Sequence, residues 1–190
     1  MIEFIRYLNS LHTLSPELQA ALLKALRQKE LRKGQVWLQE GAVCDKFAFI
    51  ERGLAKICFE AGLKELVLGY ALENEPVLSV ASYVSQTPSA FSIRAVEALC
   101  IVYISHAELQ QLLSKYPEFN IHLRLVLQAA AASLETHLAL LMMSSRLRYE
   151  KTVDLYPWMV HGKRFTDRML AAWLGITPNC LSKYKSGENS

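Results

Sequence analysis

A chain of 190 residues, 52% hydrophobic and 21% charged, is long enough for one large domain or two small ones around a real core. No apolar run reaches the roughly 18 residues of a membrane span, and "MIEFIRYLNSLHTLSPELQ" places acidic and polar residues where a signal peptide needs an unbroken apolar stretch. These features predict a soluble, cytoplasmic protein without a membrane partner. The net charge of +3 is unevenly placed: residues 144 to 190 hold eight Lys/Arg against four acids, and the other 143 residues hold 13 against 14. A basic C-terminal third points to a polyanion partner at that end.

The first element in chain order reads as a helix. Ser15 is placed to cap it, Pro16 suits its first position, and Leu18, Ala21, Leu22, Ala25 and Leu26 recur at helical spacing. From Leu31 to Ile104 glycines separate short runs rich in aromatic and β-branched residues, "VWL", "FAFI", "LAKICF", "ELVLGY", "FSIRAV" and "CIVYI". Such spacing predicts a compact antiparallel sandwich or barrel, with "EAGLK" as a hairpin tip.

Helical patterning returns at "HAELQQLLSKY", and a long helix is predicted from about Pro117 to Met143. Leu127, Ala131, Leu134, Leu138 and Leu141 alternate spacings of four and three, a heptad seam suited to a homodimer. Leu123, Val126, Ala130 and Leu140 make a second apolar stripe, available to the β domain. Ser144-Ser145 then reads as a hinge and cap. The expected division is residues 1–116, 117–143 and 144–190, and the expected class is α+β.

The chain closes on "LAAWLGITPNCLSKYK". Two short helices that cross tightly need a small residue at their contact, here Ala171, and a turn tolerant of positive φ, here Gly175. Leu170, Leu174, Ile176, Leu181 and Tyr184 fall where such a pair buries apolar groups, Thr177 is placed to cap the second helix, and Pro178 suits its first position. Asn179, Ser182, Lys183 and Lys185 then project outward, as groups able to read base edges or hold phosphates of double-stranded DNA. Lys163, Arg164 and Arg168 are assigned to phosphate.

The whole chain, over roughly residues 11 to 186, resembles a Crp/Fnr-family transcription regulator of the type common in Bacteroidetes. The likeness lies in "LRKGQVWLQEGAVCDKFAFIERGLAKI", in "SIRAVEALCIVYISHAELQQLLSKYPEF", and most specifically in the terminal motif. It implies an N-terminal antiparallel β-roll of the cyclic-nucleotide-binding kind, a long dimerisation helix, and a C-terminal all-α helix-turn-helix of the winged type. The wing is expected to be truncated, since "SGENS" leaves no residues for a hairpin. The family's reading helix usually carries Glu and Arg where this chain has Asn179 and Lys183, so a different operator is expected.

The resemblance also implies an effector pocket, with family segments "R-S-A" or "R-T-A" and "G-E-L" holding phosphate and ribose. This chain reads "NEPVLSVASYVSQTPSAFSIRA" there. Pro76-Val77-Leu78 stands near the "G-E-L" position and Ser89 near the missing Arg, Arg94 lies five residues on, and Glu73 and Glu75 would repel a phosphate. Cyclic AMP binding in the family's way is therefore not expected. Ser79, Ser89 and Ser133 are the candidate contacts of another small-molecule effector, and RNA polymerase is admitted as a further partner.

Cys44, Cys58, Cys100 and Cys180 show no C-x-x-C spacing, and the five histidines show no H-x-x-x-H or H-E-x-x-H pattern, so no metal or cofactor is expected. No paired-carboxylate, nucleophile–base or Gly-rich phosphate motif suggests an enzyme. The rival expectation is a small-molecule sensor that acts through protein contacts without DNA.

Overall fold

The computed structural model describes residues 1–62 and 64–187, with Lys64 described through its backbone. Helix α1 (Ile2–Leu11) buries Phe4, Ile5 and Leu8 on one face. Helix α2 (Pro16–Ala25) is capped by the Ser15 side chain, which accepts from the Leu18 amide, and buries Leu18 and Leu22. Eight strands follow among the described residues: β1 (Arg27–Leu31), β2 (Val36–Leu38), β3 (Lys46–Arg52), β4 (Ala55–Ala61), β5 (Lys64–Ala71), β6 (Pro76–Val77), β7 (Ser92–Ala95) and β8 (Leu99–Ser105). A short helix, α3 (Val80–Ser85), precedes β7.

The strands form two four-stranded sheets, ordered β1-β8-β3-β6 and β2-β7-β4-β5. β3 and β8 are the central pair of the first, antiparallel with Phe49 opposite Val102 and Lys46 opposite Ser105. Both strands are buried almost end to end, which requires cover on both faces. Helix α1 covers one: the Phe4 ring lies 5.9 Å from Phe47 and 5.1 Å from Phe49, two residues that the pleat turns to the same side. β1 is exposed except for Leu31 and pairs with β8 at a sheet edge, where charged side chains discourage a further strand.

Between β3 and β4, Gly53 has φ of +97°, and a Cβ there would lie 2.3 Å from the Ala98 carbonyl oxygen, so only glycine fits this turn. Helix α4 (His106–Lys115) starts in a capping box between Ser105 and Glu108. Arg27 of β1 reaches Glu108 with two bonds of 2.7 Å, and with Ser105 it holds the Glu108 carboxyl down at about 2.

Helix α5 (Phe119–Leu141) is followed by α6 (Ser145–Leu155), α7 (Pro157–His161), α8 (Asp167–Leu174) and α9 (Pro178–Ser186). Two compact units divide the chain, Met1–Phe59 with Leu68–Ala129, and Glu60–Val67 with Ala130–Ser190, so the boundary runs through α5. In the second unit α6, α8 and α9 pack on one another around Leu170, Leu174, Leu181 and Tyr184. Ser144 caps α6, accepting from the Leu147 amide at 3.5 Å, and the Ser145 hydroxyl pairs with that of Tyr184.

The sequence pattern locates α2, β2 to β5, β7, β8, α4, α5, α8 and α9 and the cap that opens α6, but not α1, β1, β6, α3 or α7. In the predicted hairpin tip at residues 60–64, Leu63 lies outside the described residues, as do the last three residues of "SGENS", on which the expectation of a truncated wing falls.

Candidate nucleic-acid interface

The Thr166 side chain caps α8, accepting from the Met169 amide at 3.3 Å. This helix buries Leu170, Ala171, Trp173 and Leu174, then stops at Gly175, whose φ of 64° and ψ of 33° are left-handed. The Ile176 amide returns to the Ala171 carbonyl at 3.0 Å, closing the helix end. Thr177 caps α9 through the Cys180 amide at 3.2 Å, with Pro178 in the first turn. Leu181 and Tyr184 are buried, which turns Asn179, Ser182, Lys183 and Ser186 outward at the i, i+3, i+4, i+7 spacing of one helix face. Ser186, which the sequence reading leaves aside, donates to the Lys183 carbonyl at 3.0 Å.

Thr177 and Lys185 are exposed as well, but the Lys185 ammonium is engaged by Asp167 at 2.5 Å. The pair is solvent-exposed and worth little. It nonetheless gives that lysine a carboxylate in place of a phosphate. Lys163 and Arg168 are exposed, and neither they nor Lys183 form an ion pair among the described residues; Arg164 is half-buried. Lys163 and Arg164 lie on the segment entering α8, and Arg168 lies in its first turn.

Arg148, one of the basic residues of the C-terminal third, is taken up by main-chain carbonyls. Its Nε donates to the Leu140 carbonyl at 3.1 Å, and its Nη2 to those of Leu141 at 2.9 Å and Met143 at 3.0 Å. Its Nη1 donates to the Leu174 carbonyl. Beside it His137 is buried with its ring 4.5 Å from that of Trp173, and among the described residues neither ring nitrogen has a hydrogen-bond partner. Burial, and secondarily the Arg148 charge, hold its pKa below the ordinary histidine value.

Along α5 the second apolar stripe is buried at Val126 and Leu140 and half-buried at Leu123 and Ala130. Of the predicted seam, Leu127 is half-buried and Ala131 exposed, and Leu134 and Leu138 are 50% and 61% exposed. Leu141 is half-buried, its Cδ2 3.9 Å from the place of a Cβ on Gly175, whereas the adjacent Met142 is 82% exposed.

Ser89 is buried, and its hydroxyl donates to the Phe91 carbonyl at 2.8 Å and accepts from the Phe91 amide at 3.1 Å, closing a turn. Ser79 is buried just ahead of α3, and Ser133 is exposed on α5. Glu73 and Glu75 accept from the Gly53 and Leu72 amides, so both carboxylates serve turns. Among the described residues no three His, Cys, Asp or Glu side chains are placed to hold a metal ion, and no helix is long and apolar enough to cross a membrane.

Residues 28–116 match the family model of the cyclic nucleotide-binding domain. No curated protein matches the chain. Among solved structures, a CooA variant from Carboxydothermus hydrogenoformans is 19% identical with a TM-score of 0.72, over 97% of this chain and 83% of that one. The c-di-GMP responsive global regulator CLP of Xanthomonas campestris is 16% identical with a TM-score of 0.70, over 91% of each chain. FixK2 from Bradyrhizobium japonicum is 12% identical with a TM-score of 0.72, over 85% of this chain and 83% of that one.

The unpartnered His137 makes the stability of the second unit pH-dependent. A histidine whose folded pKa is lowered binds fewer protons folded than unfolded, so its contribution is complete above about pH 6.5 and is lost as pH falls through the folded pKa. His137→Phe keeps a ring against Trp173 and removes the two unpaired nitrogens. The variant should be more stable at pH 8 by about 1–3 kcal/mol, the cost of buried polar groups without partners. Its advantage should widen toward about pH 5. Urea unfolding at both pH values checks this, and an advantage that narrows in acid contradicts it.

Proposed function

We propose that this chain, which carries a cyclic nucleotide-binding domain within the fold of the Crp/Fnr-family regulators, is a dimeric, sequence-specific DNA-binding transcription regulator. The observation that carries the reading is the outward face of α9, where Asn179, Ser182 and Lys183 stand exposed while Leu181 and Tyr184 are buried. In the major groove an amide at Asn179 suits the donor–acceptor pair of adenine, and an ammonium at Lys183 suits guanine O6 and N7. Thr177 and Ser182 offer hydroxyls nearby. Lys163, Arg164 and Arg168 hold phosphates and position the helix without reading bases, and Lys185 joins them once Asp167 yields it.

Dimerisation runs along α5 through the stripe of Leu127, Ala131, Leu134 and Leu138, with Leu141 at its end. The bare leucines at 134 and 138 support it, because contiguous exposed apolar side chains mark an association surface. The protein acts in the cytoplasm, on double-stranded DNA and with RNA polymerase as a further partner, and it performs no catalysis.

Asn179→Ala should relax preference at one base position, costing about 1–3 kcal/mol of discrimination. Arg168→Ala should weaken all sequences alike and flatten the salt slope by about one unit. Binding to an operator library checks the division, and equal behaviour of the two variants refutes it. Absence of salt-dependent binding to any duplex points instead to a sensor acting through protein contacts.

The β domain does not take cyclic AMP in the family's way. Ser89, where the resemblance places an arginine, spends its hydroxyl on the Phe91 backbone and brings no cation to offset a buried phosphate. An effector of other chemistry would draw on Ser79, Ser89 or Ser133. Calorimetry with cyclic AMP should give no saturable heat at micromolar protein. Micromolar or tighter binding that disappears in Ser89→Ala would overturn this.

A further inference from the structure

The geometry points to Arg148 as the positioning residue of the DNA-reading helix: its guanidinium fastens the end of α8 to the end of α5 and so sets the spacing of the half-sites that a dimer reads. This rests on the DNA-binding reading above.

An α-helix ends in carbonyls without intrahelical donors and with partial negative charge. Here the ends of two helices meet. Leu140 and Leu141 belong to the last turn of α5, Met143 follows it, and Leu174 is the last residue of α8; all four carbonyls accept from Arg148. Two converging helix C-termini repel, and a cation between them removes the repulsion. A guanidinium suits the place better than an ammonium. It stays charged at any physiological pH, and its planar fork presents donors in several fixed directions at once.

Gly175, Ile176 and Thr177 are all that separate Leu174 from the start of α9 at Pro178. Left-handed Gly175 lies against the same group, a Cβ there falling 3.4 Å from Arg148 Nη1. The turn from which α9 departs is thereby tied to the end of α5, the helix through which two copies associate. A swing of α8 away from the end of α5 must break the bond to Leu174 or the three to the α5 end.

The test is a ladder of duplexes in which the centres of two half-sites are moved one base pair at a time about one helical turn, roughly 34–36 Å. Wild type should bind one spacing at least about tenfold more tightly than its neighbours, the spread expected when one rigid geometry fits one groove register. Arg148→Lys should bind all spacings within about threefold while keeping wild-type salt slope and single half-site affinity, because no phosphate contact is lost. An unchanged spacing optimum in folded Arg148→Lys overturns the proposal. A loss of one unit of salt slope does too, since it makes Arg148 a phosphate contact.

A second measurement needs neither DNA nor a variant. In the wild-type protein the Arg148 guanidinium protons should give separate, slowly exchanging NMR signals. Averaged signals overturn the clamp. If wild type binds no duplex, the DNA-binding reading fails and these signals decide the clamp on their own.

Discussion

Two helices end with their carbonyls turned toward one guanidinium, and the C-terminal unit is organised around that meeting. The helix with the exposed polar face has only nine residues, too few to be stable alone in water. It holds its shape because Thr177 and Pro178 start it, Leu181 and Tyr184 anchor it against α6 and α8, and left-handed Gly175 lets the preceding helix stop in the right place. Arg148 supplies what side-chain packing cannot, donors to the backbone carbonyls at the two helix ends, of which that of Leu140 also accepts from the Met143 amide. His137, its ring tilted against Trp173, lies at the same joint with a ring that favours its neutral form.

The outward polar face of α9 was legible in the sequence because it depends on features that leave marks there: buried positions at helical spacing, one glycine, and a Thr-Pro start. The strands were legible for a related reason, since β-branched and aromatic runs between glycines have few other uses. β1 was not, because "RQKEL" is a polar edge strand with one buried residue, and its place is set by pairing with β8 far along the chain. Arg148 was invisible for a deeper reason. "SSRLRYEK" offers three cations, and the partners of the chosen one are main-chain carbonyls that any sequence would supply.

On the long helix, counting by sevens puts Leu141 on the seam with Leu134 and Leu138. Leu141 is half-buried beside Gly175, and Met142, just past the helix end, has the more exposed side chain. In the β domain, Ser89 is turned into its own backbone, and the Glu73 and Glu75 carboxylates hold turn amides. These polar groups serve local structure.

In the proposed function, two copies joined through α5 present two copies of α9 to one duplex. Sedimentation of the protein alone, of Leu134→Lys/Leu138→Lys, and of each with a duplex containing a two-fold operator tests this most directly. Wild type should sediment as a dimer at micromolar concentration and as two chains on one duplex, and the double variant as a monomer that binds the duplex weakly, since charges placed in an apolar seam oppose its closure. A wild-type monomer, or a double variant that occupies the duplex as wild type does, would contradict the account.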